Sequence, residues 1–162
     1  MHTNDLNNGK VVIYSDGSCR GNPGKGGYGT VLLFKNKEQI HRKELSDGFK
    51  NTTNNRMELL GVIEGLNALR KKSDVAVYTD SKYIVDAINK KWLDNWKKKN
   101  WITSTKKPVK NRDLWETLDS LLQQHKVIFN WVKGHSGIEE NEVCDQLAVN
   151  ATENYNLKDD NF

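Results

Sequence analysis

One stretch narrows the folds open to this chain more than any other: the glycine-rich segment directly after its first apolar run. The segment VVIY leads into DGSCRGNPGKGGYG, and the glycines then run straight into TVLLFK. Gly24 to Gly29 satisfy the pattern G-x-G-x-x-G. A dinucleotide fingerprint, however, needs a helix directly after its glycines, so that the helix N-terminus faces a pyrophosphate. Here the next residues are β-branched and aromatic, the composition of a strand. GxxxxGK[ST] is absent as well, because Lys25 is followed by glycine. The stretch therefore predicts two strands joined by a bent, glycine-rich loop that begins with a carboxylate, Asp16.

The rest of the chain extends that start. Val11–Asp16, Gly29–Lys35 and Gln39–Leu45 read as a β meander. Asn54–Lys71 reads as a helix, with Leu59, Val62, Ile63, Leu66 and Leu69 on one face. Val75–Thr79 is a short apolar strand and Ser81–Asn89 a helix. Arg112–Gln124 is a further helix, Lys126–Val132 a strand and Glu140–Glu153 a last helix. This order predicts an α/β mixed sheet covered by helices, with the first and fourth strands as parallel central neighbours. Residues 10–154 form one domain, and residues 1–9 and 155–162 are expected to be loose.

A chain of 162 residues is long enough to bury roughly two-thirds of its unfolded surface. No apolar run approaches the ~20 residues of a bilayer span, and the polar start is no signal peptide, so a cytoplasmic address and no membrane partner are expected. Cys19 and Cys144 stand far apart and are expected to be reduced. The net charge is only +4, but residues 90–112 carry nine Lys/Arg against the single acid Asp94, leaving the remainder net negative. A basic, tryptophan-bearing segment on an acidic body suits a polyanion partner and a separate metal-binding centre; a solvated lysine-rich face is the plainer alternative.

Four acids and one histidine occupy informative places. Asp16 ends the first strand, and Asp80 ends the fourth. Glu58 lies in the first turns of the long helix and Asp145 early in the last one, ten residues after His135 in KGHSG. Each has an ordinary explanation: Asp16 as a turn residue, Glu58 as the return partner of a capping box with Asn55, Asp80 as a helix cap, Asp145 as a solvated helix position, His135 as a loop residue. Taken together they suggest more. Parallel central strands would set Asp16 beside Asp80 at the sheet edge where ligands of open sheets bind, and flanking helices would bring in Glu58 and Asp145. Clustered carboxylates repel unless a cation or protons neutralise them, and oxygen donors suit Mg²⁺ or Mn²⁺. Two such ions about 4 Å apart serve in-line phosphodiester displacement.

With these residues in view, the sequence resembles the bacterial type 1 ribonuclease H family. The resemblance rests on YSDGSCRGNPGKGGYG, TTNNRMEL, YTDSKY, WLDNWKKKNWITSTKKPVKNRDLW and WVKGHSGIEENEVCDQLA, in family order over about residues 10–150. It implies a ribonuclease H-like fold with a five-stranded mixed sheet. It also implies an endonuclease that cuts the RNA strand of RNA–DNA hybrids, leaving 5′-phosphate and 3′-hydroxyl ends. By position, Asp16, Glu58, Asp80 and Asp145 become carboxylates for two Mg²⁺ ions, with Mn²⁺ as a substitute, and His135 a mobile residue assisting proton transfer or product release. Asn22, Asn54 and Asn55 match groove contacts, and Thr53 matches part of a pocket for a phosphate of the DNA strand. Residues 90–112 match a basic handle, in which Lys97, Lys98 and Lys99 are natural phosphate contacts. Lys82 and Ile138 depart from common members, which have a neutral residue and, in some, a histidine there. A monomer without an obligate protein partner is expected.

A non-catalytic hybrid-binding module is the main rival, and retention of all four acids argues against it. A metal-independent ribonuclease needs two histidines at one site, whereas His2, His41 and His125 are scattered. GHSG lacks the spacing of a hydrolase nucleophile elbow.

Overall fold

The computed structural model describes residues 2–162. Five strands form one sheet in the order β3-β2-β1-β4-β5. β1 (Val11–Gly21), β2 (Gly24–Asn36) and β3 (Gln39–Thr52) are antiparallel neighbours. β4 (Asp74–Thr79) and β5 (Lys126–Trp131) add on parallel to β1. The expected central pairing of the first and fourth strands is present, with Tyr14 opposite Tyr78 and Ser15 opposite Thr79.

The glycine-rich segment differs from the bent loop expected of it. β1 and β2 continue as a paired ribbon to Gly21 and Gly24, and β3 runs on to Thr52. The reason lies in what packs on the ribbon. A Cβ at Gly29 would stand 2.2 Å from the Cys144 carbonyl oxygen, and one at Gly17 would stand 2.6 Å from the Glu58 amide nitrogen. These two glycines let helices approach both faces of the sheet more closely than any side chain permits.

Helix α1 (Thr3–Asn7) precedes the sheet, and α2 (Asn54–Asn67) comes after β3. α3 (Lys82–Asn89), α4 (Trp92–Lys98) and α5 (Arg112–Gln124) lie between β4 and β5, and α6 (Glu139–Thr152) comes after β5. α2 stops short of the Lys71 expected from its apolar spacing. Thr53 caps its start, accepting from the Arg56 amide at 3.3 Å. Ser81 does the same for α3 through the Ile84 amide. Both caps leave the neighbouring acids Glu58 and Asp80 unused for capping.

The larger core lies between one sheet face and α2, α3 and α5, where Leu59, Val62, Leu66, Ile84, Trp115 and Leu118 are fully buried. Each contributes about 1.5–3 kcal/mol by leaving water. A second cluster, with Val12, Tyr14, Val31, Leu33 and Cys144, packs α6 and Leu6 of α1 on the opposite face. The handle docks through Leu93 and Trp96, whose ring meets Trp115 edge-on at 5.5 Å between centroids. Trp92 remains partly exposed.

Described residues at both ends of the chain make contacts with the sheet and α2. Besides burying Leu6, α1 hydrogen bonds Asp5 to the Tyr78 hydroxyl. Residues 158–160 are held against β3 and α2: Lys158 exchanges backbone bonds with Gly48 and Lys50, and Asp160 accepts from Thr52 Oγ1 at 2.6 Å.

Candidate functional site

Asp16, Glu58 and Asp80 converge from three elements, β1, α2 and the end of β4. One ligating oxygen from each lies within 4.8 Å of the others. Sheet order causes this, because β1 and β4 are adjacent and parallel, so both strand ends deliver their acid to the same edge. The close approach of α2 at Gly17 then sets Glu58 over them.

The cluster is electrostatically unfavourable by itself. Burial, then the Asp80 charge, push the Asp16 carboxyl up to about 8, against the pull of the Gly17 amide that bonds it at 2.9 Å. Glu58 is raised well above the usual carboxylate range by burial and by the charges of Asp16 and Asp80. Burial raises Asp80 too, opposed by a hydrogen bond with Asp16. Glu58 Oε2 is buried without a hydrogen-bond partner among the described residues. An orphaned carboxylate oxygen and a self-repelling, all-oxygen donor set fit a hard divalent cation, which would supply the missing positive charge.

Asp145 on α6 forms a second group with His135 and Glu142, again with ligating atoms within 4.8 Å. Its charge acts on both Asp16 and Asp80, so the two groups adjoin. His135 sits in the left-handed region (φ 53°) on an exposed loop, with Nδ1 3.7 Å from Glu142 Oε2. Sequence reasoning missed Glu142. Its spacing from Asp145, three residues on a helix, was the available signal.

The residues expected as groove contacts lie on both sides of the acids. Asn22 Oδ1 accepts from the Asn54 amide at 3.0 Å, clamping the ribbon tip to the start of α2. The Asn54 side chain bonds Glu58, so it supports the acid cluster while facing solvent. Asn22, Thr53 and Asn55 border one cavity, with Lys110 on its rim. Lys98 and Lys99 project from the handle, but Lys97 Nζ bonds Asp119 at 3.0 Å. Lys82 lies over the Trp131 ring at 4.8 Å, and the Trp131 indole donates to the Asp80 carbonyl at 3.1 Å. Ile138, where some relatives have histidine, is an apolar residue at the start of α6 that packs on the second core cluster.

A feature with no local sequence signal is Arg56, 2% exposed in the first turn of α2. Its guanidinium donates to Asp113 at 2.7 and 2.9 Å, to Asp160 at 2.8 and 2.9 Å, and to Asn111 at 3.3 Å.

A five-stranded mixed sheet with two buried carboxylates and a half-buried third gathered at the ends of its central strands defines a class of protein, the metal-dependent nucleases of ribonuclease H-like fold. The RNase H family model matches residues 8–153, and the chain belongs to that family. It is 56% identical over 151 residues to ribonuclease H of Rippkaea orientalis, covering 93% of this chain and 90% of that protein. To ribonuclease HI of Haemophilus influenzae it is 52% identical, covering 93% and 94%. Among solved structures, LC9-RNase H1, a type 1 RNase H with the type 2 active-site motif, superimposes with a TM-score of 0.80 at 33% identity over 90% of this chain and 72% of that one. LC11-RNase H1, solved in complex with RNA/DNA hybrid, shares the fold with a TM-score of 0.66 at 24% identity, covering 89% and 97%.

Proposed function

We infer that this protein is an endoribonuclease hydrolysing the RNA strand of RNA–DNA hybrids, leaving 5′-phosphate and 3′-hydroxyl ends. The observation that carries the reading is the meeting of buried Asp16 and Glu58 with half-buried Asp80, Glu58 Oε2 having no hydrogen-bond partner among the described residues. Family membership supplies the reaction class.

Asp16, Glu58, Asp80 and Asp145 would hold divalent ions, two Mg²⁺ in our reading with Mn²⁺ as a substitute. Bound there, such ions would supply hydroxide near neutral pH and positive charge for the departing 3′-oxygen. Asp16, at the end of the central strand and in contact with Asp80 and Asp145, would be central among the residues holding these ions. Asn54 steadies Glu58 by hydrogen bond. His135, exposed on its loop and next to Glu142, carries a proton to or from the reacting phosphate, as an imidazole can.

Binding falls to groups around the acids. Asn22, Asn54 and Asn55 offer amides that both donate and accept, as a 2′-hydroxyl requires. Thr53 and Lys110 face a phosphate of the DNA strand. Lys98 and Lys99 give salt-sensitive, sequence-independent affinity, and Lys97 contributes less because Asp119 already pairs with it. We place the protein in the cytoplasm as a monomer, in keeping with its two unpaired cysteines.

A gel of uniform RNA–DNA hybrid, double-stranded RNA and double-stranded DNA, each with Mg²⁺ or excess chelator, tests the reading. Cleavage of the hybrid alone, and only with Mg²⁺, is the expected pattern. Cleavage that persists in chelator would remove the metal role, and an intact hybrid would remove the activity.

A further inference from the structure

The cavity beside Thr53, about 500 Å³, has a wall that no sequence motif supplies. Asn22, Thr53, Asn55 and Lys110 line it together with Asp113, whose carboxylate is already paired with Arg56, and the Phe162 ring lines it too. Beneath them lies Arg56, whose guanidinium carbon sits 5.1 Å from the Phe162 ring centroid. Arg56 is nevertheless not available to a ligand. Its five N–H groups are engaged by Asp113, Asp160 and Asn111, and two carboxylates against one guanidinium leave the floor net negative. The cation of the cavity without an ion pair among the described residues is Lys110. Phe162 itself is 57% exposed, an aromatic face presented to the cavity and to solvent.

Residues 158–160 are held firmly enough to carry that ring. Lys158 pairs with β3 through two backbone bonds of 2.9 Å, and its Nζ bonds Asp47 at 2.8 Å. Asp160 takes two bonds from buried Arg56 and one from Thr52. The ring then stands where these bonds direct the chain, two residues beyond Asp160.

We propose that Phe162 is a specificity-determining residue that packs against the deoxyribose of the uncut strand, next to the phosphate held by Thr53 and Lys110. A cavity with a cation and hydroxyl on one side and an aromatic face on the other matches one sugar–phosphate unit. An aromatic ring offers no hydrogen bond to a 2′-hydroxyl, so a ribose in that place would bury the hydroxyl unpaired, whereas deoxyribose presents only C–H groups. The ring therefore selects DNA over RNA as the uncut strand. This inference rests on reading the groove as a hybrid-binding site.

The test is steady-state cleavage of a hybrid, with double-stranded RNA of the same sequence as competitor. Phe162→Ala raises KM for the hybrid about fivefold, an effect of the size expected for one lost apolar contact. In that variant kcat falls less than twofold, and the inhibition constant of double-stranded RNA changes less than twofold, so discrimination narrows. Phe162→Tyr, which retains the ring, restores KM. A merely structural role would move KM together with melting temperature and would not separate the two duplexes. An unchanged KM, equal weakening toward hybrid and double-stranded RNA, or failure of Phe162→Tyr to restore KM overturns the proposal while wild-type cleavage stands. A wild-type protein that leaves the hybrid uncut overturns the underlying reading instead.

Discussion

Arg56 and Glu58 are two residues apart on α2, and both are buried charged groups, yet their surroundings are opposite. Every donor of Arg56 meets an acceptor, and its charge is balanced by Asp113 and Asp160. Glu58 lies among acids of its own sign with one oxygen unpartnered among the described residues. The arginine site is complete within the protein, and the acid site is completed only by something added. Buried charge of the first kind holds structure together, whereas buried charge of the second kind marks a place where stability has been given up for chemistry.

The contrast is broken or sharpened by substitutions on each side. The largest effect belongs to the acid site: Asp16→Asn or Asp80→Asn lowers Mg²⁺-dependent hybrid cleavage by at least about 10³-fold, ~4 kcal/mol of barrier. Single-turnover rates measure it, and a residual activity above a tenth of wild type would show that the acids are not ligands. Next is Arg56→Ala, which strands Asp160 and leaves a cavity. We expect a loss of about 3 kcal/mol in denaturant unfolding, and a loss below about 1 kcal/mol would mean the network is weakly coupled to folding.

Removing an acid should do the reverse. In chelator, Asp16→Asn stabilises the protein by about 0.5–2 kcal/mol at pH 8. The raised pKa sets the sign. A carboxyl that titrates near 8 when folded, but near 4 when unfolded, binds more protons in the folded state between those values. Stability therefore falls as pH rises from about 4 to 8. Thermal melts of wild type in chelator should decline across that window, while Asp16→Asn declines less and Mg²⁺ offsets the decline. Asp113 has the opposite sign: its hydrogen bonds with Arg56 lower its pKa, so its contribution is present above the ordinary carboxylate range and fades as acid protonates it. Exposure of its side chain keeps that contribution small.

The smallest effects lie in the handle. Lys98→Gln and Lys99→Gln each reduce the slope of log affinity against log salt by about one, whereas Lys97→Gln, already paired with Asp119, reduces it by less. Equal slopes for all three would set aside the distinction between free and paired lysines.

How far the sequence reached differs between the same two sites. The acid site lay at places with strong local signals: strand ends after VVIY and VAVYT, and the first turns of an amphipathic helix. Once the first and fourth strands were expected to be parallel neighbours, Asp16 and Asp80 had to meet. The arginine site had no such signal, because its partners come from α5 and from residue 160, more than a hundred positions away. Nothing in the polar composition of residues 155–162 reveals that Asp160 meets a buried guanidinium. The glycines misled for a related reason. Gly17 and Gly29 need no turn; they are small because helices press on them, and such contact between distant segments leaves no periodicity in either one.

The most direct test of the central contrast is calorimetric titration of Mg²⁺ into the protein without substrate, wild type beside Asp16→Asn and Glu58→Gln. The account predicts saturable binding to the wild type that is lost in Asp16→Asn and weakened at least about tenfold in Glu58→Gln. Equal Mg²⁺ binding by all three proteins would contradict it.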